Sequence, residues 1–309
     1  MSTALRIGVE ARLRQHVERI ALAHPPIDVA SVDFTVRDPT ALRGRYGPVL
    51  AYMARVELEV ERNVLELETL IPNPPEIDRH FYQDVWHPQE ERHGQILDEL
   101  HRHLGGVPEP ADLTSVSVKL KVLGALGHLE SMQDVSRMLY YMTGMATERS
   151  AVLAYNLLHD GVLELGEDAV ARTVLAPIRR QEPGHYAFYL MSARGLWNEL
   201  SPWQRWLTRR MRSQSFSPVG VSNDVQRARF GDVIGRLGID RDLDGFAAQV
   251  IRAERELLWA RDHGLPVPEY VTRAFREAVV VAHAVGENET DGGSAPAAAP
   301  GAPSSTAST

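Results

Sequence analysis

Glutamate and histidine stand three residues apart twice in this chain, at Glu90 and His93 and again at Glu182 and His185. On an α-helix, two side chains at this spacing leave the same face about one turn apart, so both can bind one metal ion. Chance alone supplies about one such pair in a chain of this length and composition. The residues around the two pairs therefore decide what the pairs mean.

A single glutamate precedes each pair at nearly the same distance. Glu57 lies 33 residues before Glu90, and Glu148 lies 34 residues before Glu182. The order Glu, Glu-x-x-His, Glu, Glu-x-x-His is the ligand pattern of di-iron carboxylate bundles, in which two helices each give Glu-x-x-His and two others give one Glu apiece. The pattern predicts an all-α protein built around a bundle of four helices.

Apolar periodicity supports a helix over residues 40–70. Its apolar residues fall on one stripe at 100° per residue, and they are Val49, Leu50, Met53, Val56, Val60, Val64 and Leu67. Glu57 lies inside this stripe and Glu59 points away from it, whereas Glu61 lies at its edge. We therefore expect Glu57 to be the first ligand, with Glu61 as the reserve candidate.

The other predicted ligands also lie on apolar helix faces. Glu90 and His93 share a face with Trp86 on a helix over 77–104, in which Pro88 predicts a local irregularity. Glu148 lies in the stripe of a helix over 129–159. The helix over 167–200 carries Pro183-Gly184 between its two ligands, which predicts a kink or bulge at the site. The alternative is a helix break that puts Glu182 and His185 on different faces.

Composition narrows the function classes. The formal net charge of −8 argues against nucleic acid as the main partner. Cysteine is absent, which removes disulfides and cysteine-ligated clusters, so electrons for any redox reaction must come from another molecule. The N-terminal 25 residues have no continuous apolar run, so we expect a cytoplasmic protein without a membrane span. We expect one helical domain over 1–285 and a disordered, low-complexity tail over 286–309.

Several segments resemble the soluble acyl-[acyl-carrier-protein] desaturases. The resemblance covers about residues 45–260 in order and spacing. The similar segments are Trp86-His-Pro-Gln-Glu90-Glu-Arg-His93-Gly94, Thr147-Glu148-Arg149-Ser150-Ala151, Glu182-Pro-Gly-His185-Tyr-Ala-Phe-Tyr189 and Met211-Arg212-Ser-Gln-Ser-Phe-Ser-Pro218.

The resemblance implies an all-α fold, a ferritin-like four-helix bundle with additional flanking helices. It also implies a homodimeric enzyme that inserts a cis double bond into an acyl chain tethered to acyl carrier protein. It implies two iron ions, dioxygen, and two electrons from a ferredoxin-type donor. Glu90 and Glu182 are the best placed to bridge the ions. The implied ligands are Glu57, Glu90, His93, Glu148, Glu182 and His185. Arg209, Arg210 and Arg212 form a basic cluster that is a possible contact for the acidic carrier protein, or else a solvated helix end.

The chain departs from the family at two positions beside the ligands. Gln181 stands where the family has Asp, which changes the hydrogen bonds that orient a ligand. Ala151 stands where the family has a Thr associated with oxygen activation. The gap between Glu57 and the first pair is also shorter than in the plant enzymes. These departures bear on catalysis more than on the metal ligands.

Three other interpretations remain open from the sequence. The first is another di-iron oxygenase, such as an N-oxygenase or hydroxylase. Such an enzyme would have a wide polar pocket beside Glu148 instead of a narrow apolar channel. The second is a non-catalytic, ferritin-like iron-binding protein. The third interpretation is a structural helical protein in which the motifs arise by chance.

Overall fold

A computed structural model of the chain describes residues 3–71, 74–113, 125, 129–259 and 267–292. All regular elements within these ranges are helical, which confirms the predicted all-α class. The first helices are α1 (Thr3–Ala23), α2 (Pro39–Leu58), α3 (Val60–Leu70), α4 (Glu76–Arg79) and α5 (His87–His103). They are followed by α6 (Glu130–Glu164), α7 (Ala176–Glu199), α8 (Pro202–Ser215), α9 (Asp224–Arg236), α10 (Leu243–Val250), α11 (Arg252–Leu258) and α12 (Glu269–Gly292).

Two helix pairs form the centre of the molecule. Helix α2 packs along α5, and α6 packs along α7. Their apolar stripes face inward, because burying these stripes is the main source of helix stability in a bundle. Helix α9 packs on both α2 and α12, so the C-terminal helices cover one side of this four-helix arrangement. Helix α1 packs against α7 on another side.

The predicted single helix over 40–70 is two helices. The break falls at Glu59, between α2 and α3. Glu59, which we expected to point away from the stripe that carries Glu57, is in neither group of potential metal ligands but is nevertheless buried. Its carboxylate oxygens lie 2.7 Å from Arg55 and 2.8 Å from Arg62, and these two guanidinium groups provide the partners that a buried carboxylate requires.

Two π-helical segments, in which the helix is wider than an α-helix, lie immediately before α5 and α7. Each of these two helices has a proline in its first turn. Residues His80–Trp86 lead into α5, and Val170–Leu175 lead into α7. The second residue of each following helix is a proline, Pro88 or Pro177, which has no backbone N–H to donate. An inserted wide turn accommodates that loss, and such turns are frequent at functional sites. The predicted irregularity near Pro88 is confirmed.

The ends of the chain differ from expectation in detail. The connection between α1 and α2 contains a 3-10 turn, Val29–Ser31. Helix α12 extends to Gly292, beyond the domain boundary predicted at 285. The remainder of the predicted tail, 293–309, lies outside the described residues. Among the described helices, none combines the length and the apolar character needed to cross a membrane.

Candidate metal centre

Four helices bring the six predicted ligands to one place. Helix α2 gives Glu57, α5 gives Glu90 and His93, α6 gives Glu148, and α7 gives Glu182 and His185. Two overlapping groups form, in each of which the potential ligand atoms lie within 4.8 Å of one another. The first group is Glu57, Glu90, His93 and Glu182. The second group is Glu90, Glu148, Glu182 and His185.

The centre is enclosed by protein. Both histidines are fully buried, and Glu90, Glu148 and Glu182 are at most 3% exposed. Glu57 is half-buried, whereas the reserve candidate Glu61 is exposed on α3 and belongs to neither group. The structure therefore selects Glu57 over Glu61, because Glu57 is on the side of α2 that faces α5 and α6.

Glu182 and His185 share a face despite the residues between them. Helix α7 continues through Pro183, and both side chains are buried in the same cluster. The expected irregularity lies instead in the π segment Val170–Leu175, ahead of Pro177. The alternative in which Pro183-Gly184 separates the two ligands is therefore wrong.

Burial and mutual repulsion set the protonation of the carboxylates. Burial raises the pKa of Glu57 well above its usual range, and the neighbouring charge of Glu90 raises it further. Burial likewise raises the pKa of Glu148, with added repulsion from Glu90 and Glu182. Burial opposes ionisation of Glu90 as well, but the charge of His185 and hydrogen bonds hold the pKa of Glu90 well below its usual range.

His93 is held by two carboxylates. Its Nδ1 lies 3.2 Å from Glu182 Oε1 and 3.3 Å from Glu90 Oε2. Burial opposes a charge on the ring, but these partners outweigh it and raise the pKa of His93 to about 10. A proton on His93 therefore compensates part of the negative charge of the neighbouring carboxylates.

Two aromatic side chains bond to the lone glutamates, one to each. The Tyr155 hydroxyl donates to Glu57 Oε1 at 2.6 Å, and the Trp86 indole Nε1 donates to Glu148 Oε1 at 3.2 Å. At helical spacing, Trp86 shares the apolar face of Glu90 and His93, and Tyr155 shares that of Glu148. The sequence analysis did not predict these two hydrogen bonds. Their possible signal was the aromatic residues themselves, since a buried Tyr or Trp normally has a hydrogen-bond partner.

Some polar atoms of the centre lack a hydrogen bond among the described residues. They include Glu90 Oε1, Glu182 Oε1 and His185 Nδ1. Glu90 Oε1 and His185 Nδ1 lie 2.7 Å apart without the alignment of a hydrogen bond. Unsatisfied buried donors and acceptors are costly unless another group binds them. Carboxylate oxygens and imidazole nitrogens together can hold a metal ion here.

An apolar cavity lies against the carboxylates. Its volume is about 90 Å³, and Glu57, Glu90, Glu148 and Glu182 form part of its wall. A single buried water needs roughly 10–15 Å³ of such a cavity. Most of the wall is contributed by apolar side chains of α2, α6, α9 and α10, among them Met53, Val56, Ala151, Ala154, Phe230 and Ile234.

The predicted basic cluster on α8 is divided. Arg210 is exposed, and Arg209 lies over the Trp197 ring with its guanidinium carbon 5.2 Å from the ring centroid. Arg212 is 2% exposed and makes two 2.9 Å hydrogen bonds to Glu254. Arg212 is therefore not available to a partner, because its charge is neutralised inside the protein. That part of the predicted contact is wrong.

Comparison with known proteins adds no relative. Neither the protein-family models, nor the curated proteins, nor the solved structures give a significant match to the chain. The resemblance to the acyl-carrier-protein desaturases therefore depends on the motif residues, and the ability of the centre to hold a metal ion depends on its geometry.

Proposed function

We propose that the protein is a di-iron, dioxygen-dependent oxidoreductase. The observation that carries this proposal is the overlap of the two ligand groups. Glu90 and Glu182 belong to both groups, whereas Glu57 and His93 belong to the first and Glu148 and His185 to the second. Two ions fit this arrangement with two shared carboxylates, one lone carboxylate each and one imidazole each.

The chemistry of the donors supports iron. Four carboxylates balance the charge of two divalent cations, and neutral imidazoles add nitrogen donors without adding charge. Iron ions bound there supply electrons and open coordination positions for reduction of dioxygen. The chain's own contribution is to hold the carboxylates, to exclude water and to place a substrate beside them.

The cavity supports an aliphatic substrate, and we propose an acyl chain attached to acyl carrier protein. Its apolar wall beside Glu57 and Glu148 would bury methylene groups and would not satisfy a polar amine. Introducing a cis double bond removes two hydrogen atoms from the chain. Together with two electrons and two protons from outside, these reduce one dioxygen to two waters. A ferredoxin-type donor would supply the electrons.

The exposed part of α8 is the proposed contact for the acidic carrier protein. Trp203 and Trp206 are 48% and 64% exposed, and Arg210 lies one turn after Trp206. An exposed aromatic pair beside a cation is typical of binding surfaces. Arg209 and Arg210 remain in the proposed contact, and Arg212 does not. We further propose a homodimer on the strength of the family resemblance.

The first experiment is iron reconstitution under dioxygen. We expect about two irons per chain and a dioxygen-dependent absorbance change in the wild type. Glu148→Ala and His185→Ala should lose both. The matched control is Glu61→Ala, which removes an exposed glutamate of α3 outside the cluster. An iron content of the wild type no higher than background would overturn the proposal.

The second experiment supplies acyl carrier protein loaded with saturated acyl chains, together with ferredoxin and its reductase. A cis-unsaturated product identified by mass spectrometry supports the desaturase. A hydroxylated chain, or turnover of an aryl amine instead, would establish one of the alternative oxygenases. Iron uptake without turnover, in a cage-sized assembly, would establish an iron-binding protein. Ala154→Phe, which fills the cavity, should abolish turnover while leaving the iron content unchanged.

A further inference from the structure

Two glutamines connect the halves of the metal centre crosswise. Gln89 precedes Glu90 on α5, but its Oε1 lies 2.5 Å from Nε2 of His185 on α7. Gln181 precedes Glu182 on α7, but its Oε1 lies 2.6 Å from Nε2 of His93 on α5. Both glutamines are at most 4% exposed. Each histidine is therefore held by the glutamine of the opposite helix.

The backbone fixes which way each amide points. Gln89 Nε2 donates to the His24 carbonyl at 2.5 Å, and Gln181 Nε2 donates to the Pro25 carbonyl at 2.8 Å. A backbone carbonyl accepts hydrogen bonds and cannot donate one. The amide nitrogens must therefore face residues 24 and 25, and the amide oxygens must face the histidines.

The orientation of the amides determines the state of the imidazoles. An amide oxygen only accepts, so Nε2 of His93 and Nε2 of His185 must carry hydrogen. When a ring is neutral, its lone pair is then on Nδ1. In both rings Nδ1 is the atom that faces the carboxylates, 2.7 Å from Glu90 in His185 and 3.2 Å from Glu182 in His93.

Helix α1 holds the carbonyl anchor in place. His24 and Pro25 follow α1 directly, and α1 packs against α7. His16 Nε2 lies 2.9 Å from the Gly184 carbonyl oxygen, between the two ligands of α7. A Cβ on Gly184 would stand 3.1 Å from Ile20 Cγ2, so this glycine permits the close approach of α1. The N-terminal helix is thereby attached to the metal-binding turn itself.

We propose that Gln89 and Gln181 are positioning residues that act crosswise, using the carbonyls of His24 and Pro25 to keep Nδ1 of His185 and His93 directed at the metals. Amides suit this role because they carry no charge. Carboxylates at the same positions would face the two carbonyls and would add negative charge that two divalent cations no longer balance. The proposal rests on the metal-binding part of the proposed function.

The test is nitrogen-15 NMR of selectively labelled histidine in the full-length protein, before and after addition of Zn²⁺. His93→Ala and His185→Ala assign the two buried rings. In the wild type, each ring should show a slowly exchanging Nε2–H proton in both samples. Gln89→Met should remove or shift the signal of His185 and spare that of His93. Gln181→Met should do the reverse. Gln95→Met, at an exposed position of α5, is the matched control.

Gln89→Met and Gln181→Met should each weaken Zn²⁺ binding by about tenfold to a hundredfold, measured by competition with a chelator. Gln89→Glu and Gln181→Glu keep the size and the acceptor, and provide a second pair if the methionine variants do not fold. They should again move the signal of the opposite histidine. Perturbation of the histidine on the same helix, or of neither histidine, would overturn the inference. Protonation of either histidine at Nδ1 alone would also overturn the inference.

The two proposals fail in different ways. Absence of metal binding in the wild type would overturn the proposed function. The crosswise pattern of Nε2–H signals in the metal-free protein would still decide whether the glutamines hold the opposite histidines.

Discussion

The hydroxyl of Tyr155 donates a 2.6 Å hydrogen bond to Glu57 and so joins α6 to α2 at the half-buried edge of the candidate metal centre. Glu57 is the most exposed of the six predicted ligands. Glu57 also contributes a carboxylate oxygen to the first group of potential ligand atoms. A hydrogen bond from another helix restricts the rotation of this carboxylate and so helps to orient a potential ligand.

Tyr155→Phe should weaken metal binding by roughly tenfold, the lower end of what such supporting residues contribute. Phenylalanine keeps the packing volume, so the melting temperature should change little although the metal affinity falls. Chelator competition with Zn²⁺ or Fe²⁺ gives the affinity. Tyr141→Phe is the matched control, because Tyr141 is buried on the same helix but bonds to Asp78. Equal affinities for the two variants would contradict the role given to Tyr155.

Metal binding should release protons near neutral pH. The pKa values of Glu57 and Glu148 lie well above the usual range because of burial and neighbouring carboxylates, and the pKa of His93 is about 10. Since metals bind the deprotonated forms, affinity should rise as the pH rises. Calorimetry of Zn²⁺ binding in two buffers with different ionisation enthalpies measures the released protons. Identical heats in both buffers would contradict this prediction.

Asp78 should make stability depend on pH. Its side chain is buried, and burial raises its pKa to about 6 despite the hydrogen bond from Tyr141. The carboxyl of the unfolded chain ionises near pH 4. Between about pH 4 and 6 the folded protein holds a proton that the unfolded chain has lost, so this contribution to stability falls as the pH rises and its loss is complete above pH 6.

Asp78→Asn should therefore stabilise the protein above pH 6, by up to about 3 kcal/mol, and should have little effect near pH 4. Urea unfolding at both pH values measures the difference. Asp240→Asn, at an exposed position, should show no such pH-dependent change. A gain of equal size at both pH values would mean that ionisation of Asp78 is not its cause.

Gly144 permits the close packing of α6 against α7. A Cβ at this position would lie 2.1 Å from Cε1 of the buried Tyr189 ring. Gly144→Ala should therefore lower the free energy of unfolding by about 1–3 kcal/mol, even though alanine favours a helix. Gly44→Ala is the matched control, because a Cβ there meets nothing within 4 Å. It should raise stability by up to about 1 kcal/mol. Chemical denaturation of both variants measures these changes.

The prolines in the sequence correctly indicated that the ligand-bearing helices are irregular, but they did not always indicate where. A proline removes a donor wherever it occurs, so the need for compensation can be seen in the sequence. Near Pro88 the wide turn lies where it was expected, in His80–Trp86. In α7 it precedes Pro177, and the helix continues through Pro183. Which turn of a helix widens depends on the neighbouring helices that pack against it.

The sequence by itself determined the helical class and five of the six residues of the cluster, all but Glu57. Both follow from local spacing, because residues three and four apart on a helix share a face whatever that face meets. The choice of Glu57 over Glu61 needed the structure, since both lie on or beside the same stripe and only packing of α2 against its neighbours decides which of them is enclosed.

Only the tertiary structure decided the contacts between distant segments. The crosswise pairing of Gln89 with His185 and of Gln181 with His93 joins residues 96 and 88 positions apart. The burial of Glu59 between Arg55 and Arg62, and of Arg212 against Glu254, likewise reverses what charge alone suggests about exposure. Periodicity specifies which face of a helix is buried, but the partner of that face is set when all helices pack together, because burial makes each charged or polar group depend on its nearest neighbours.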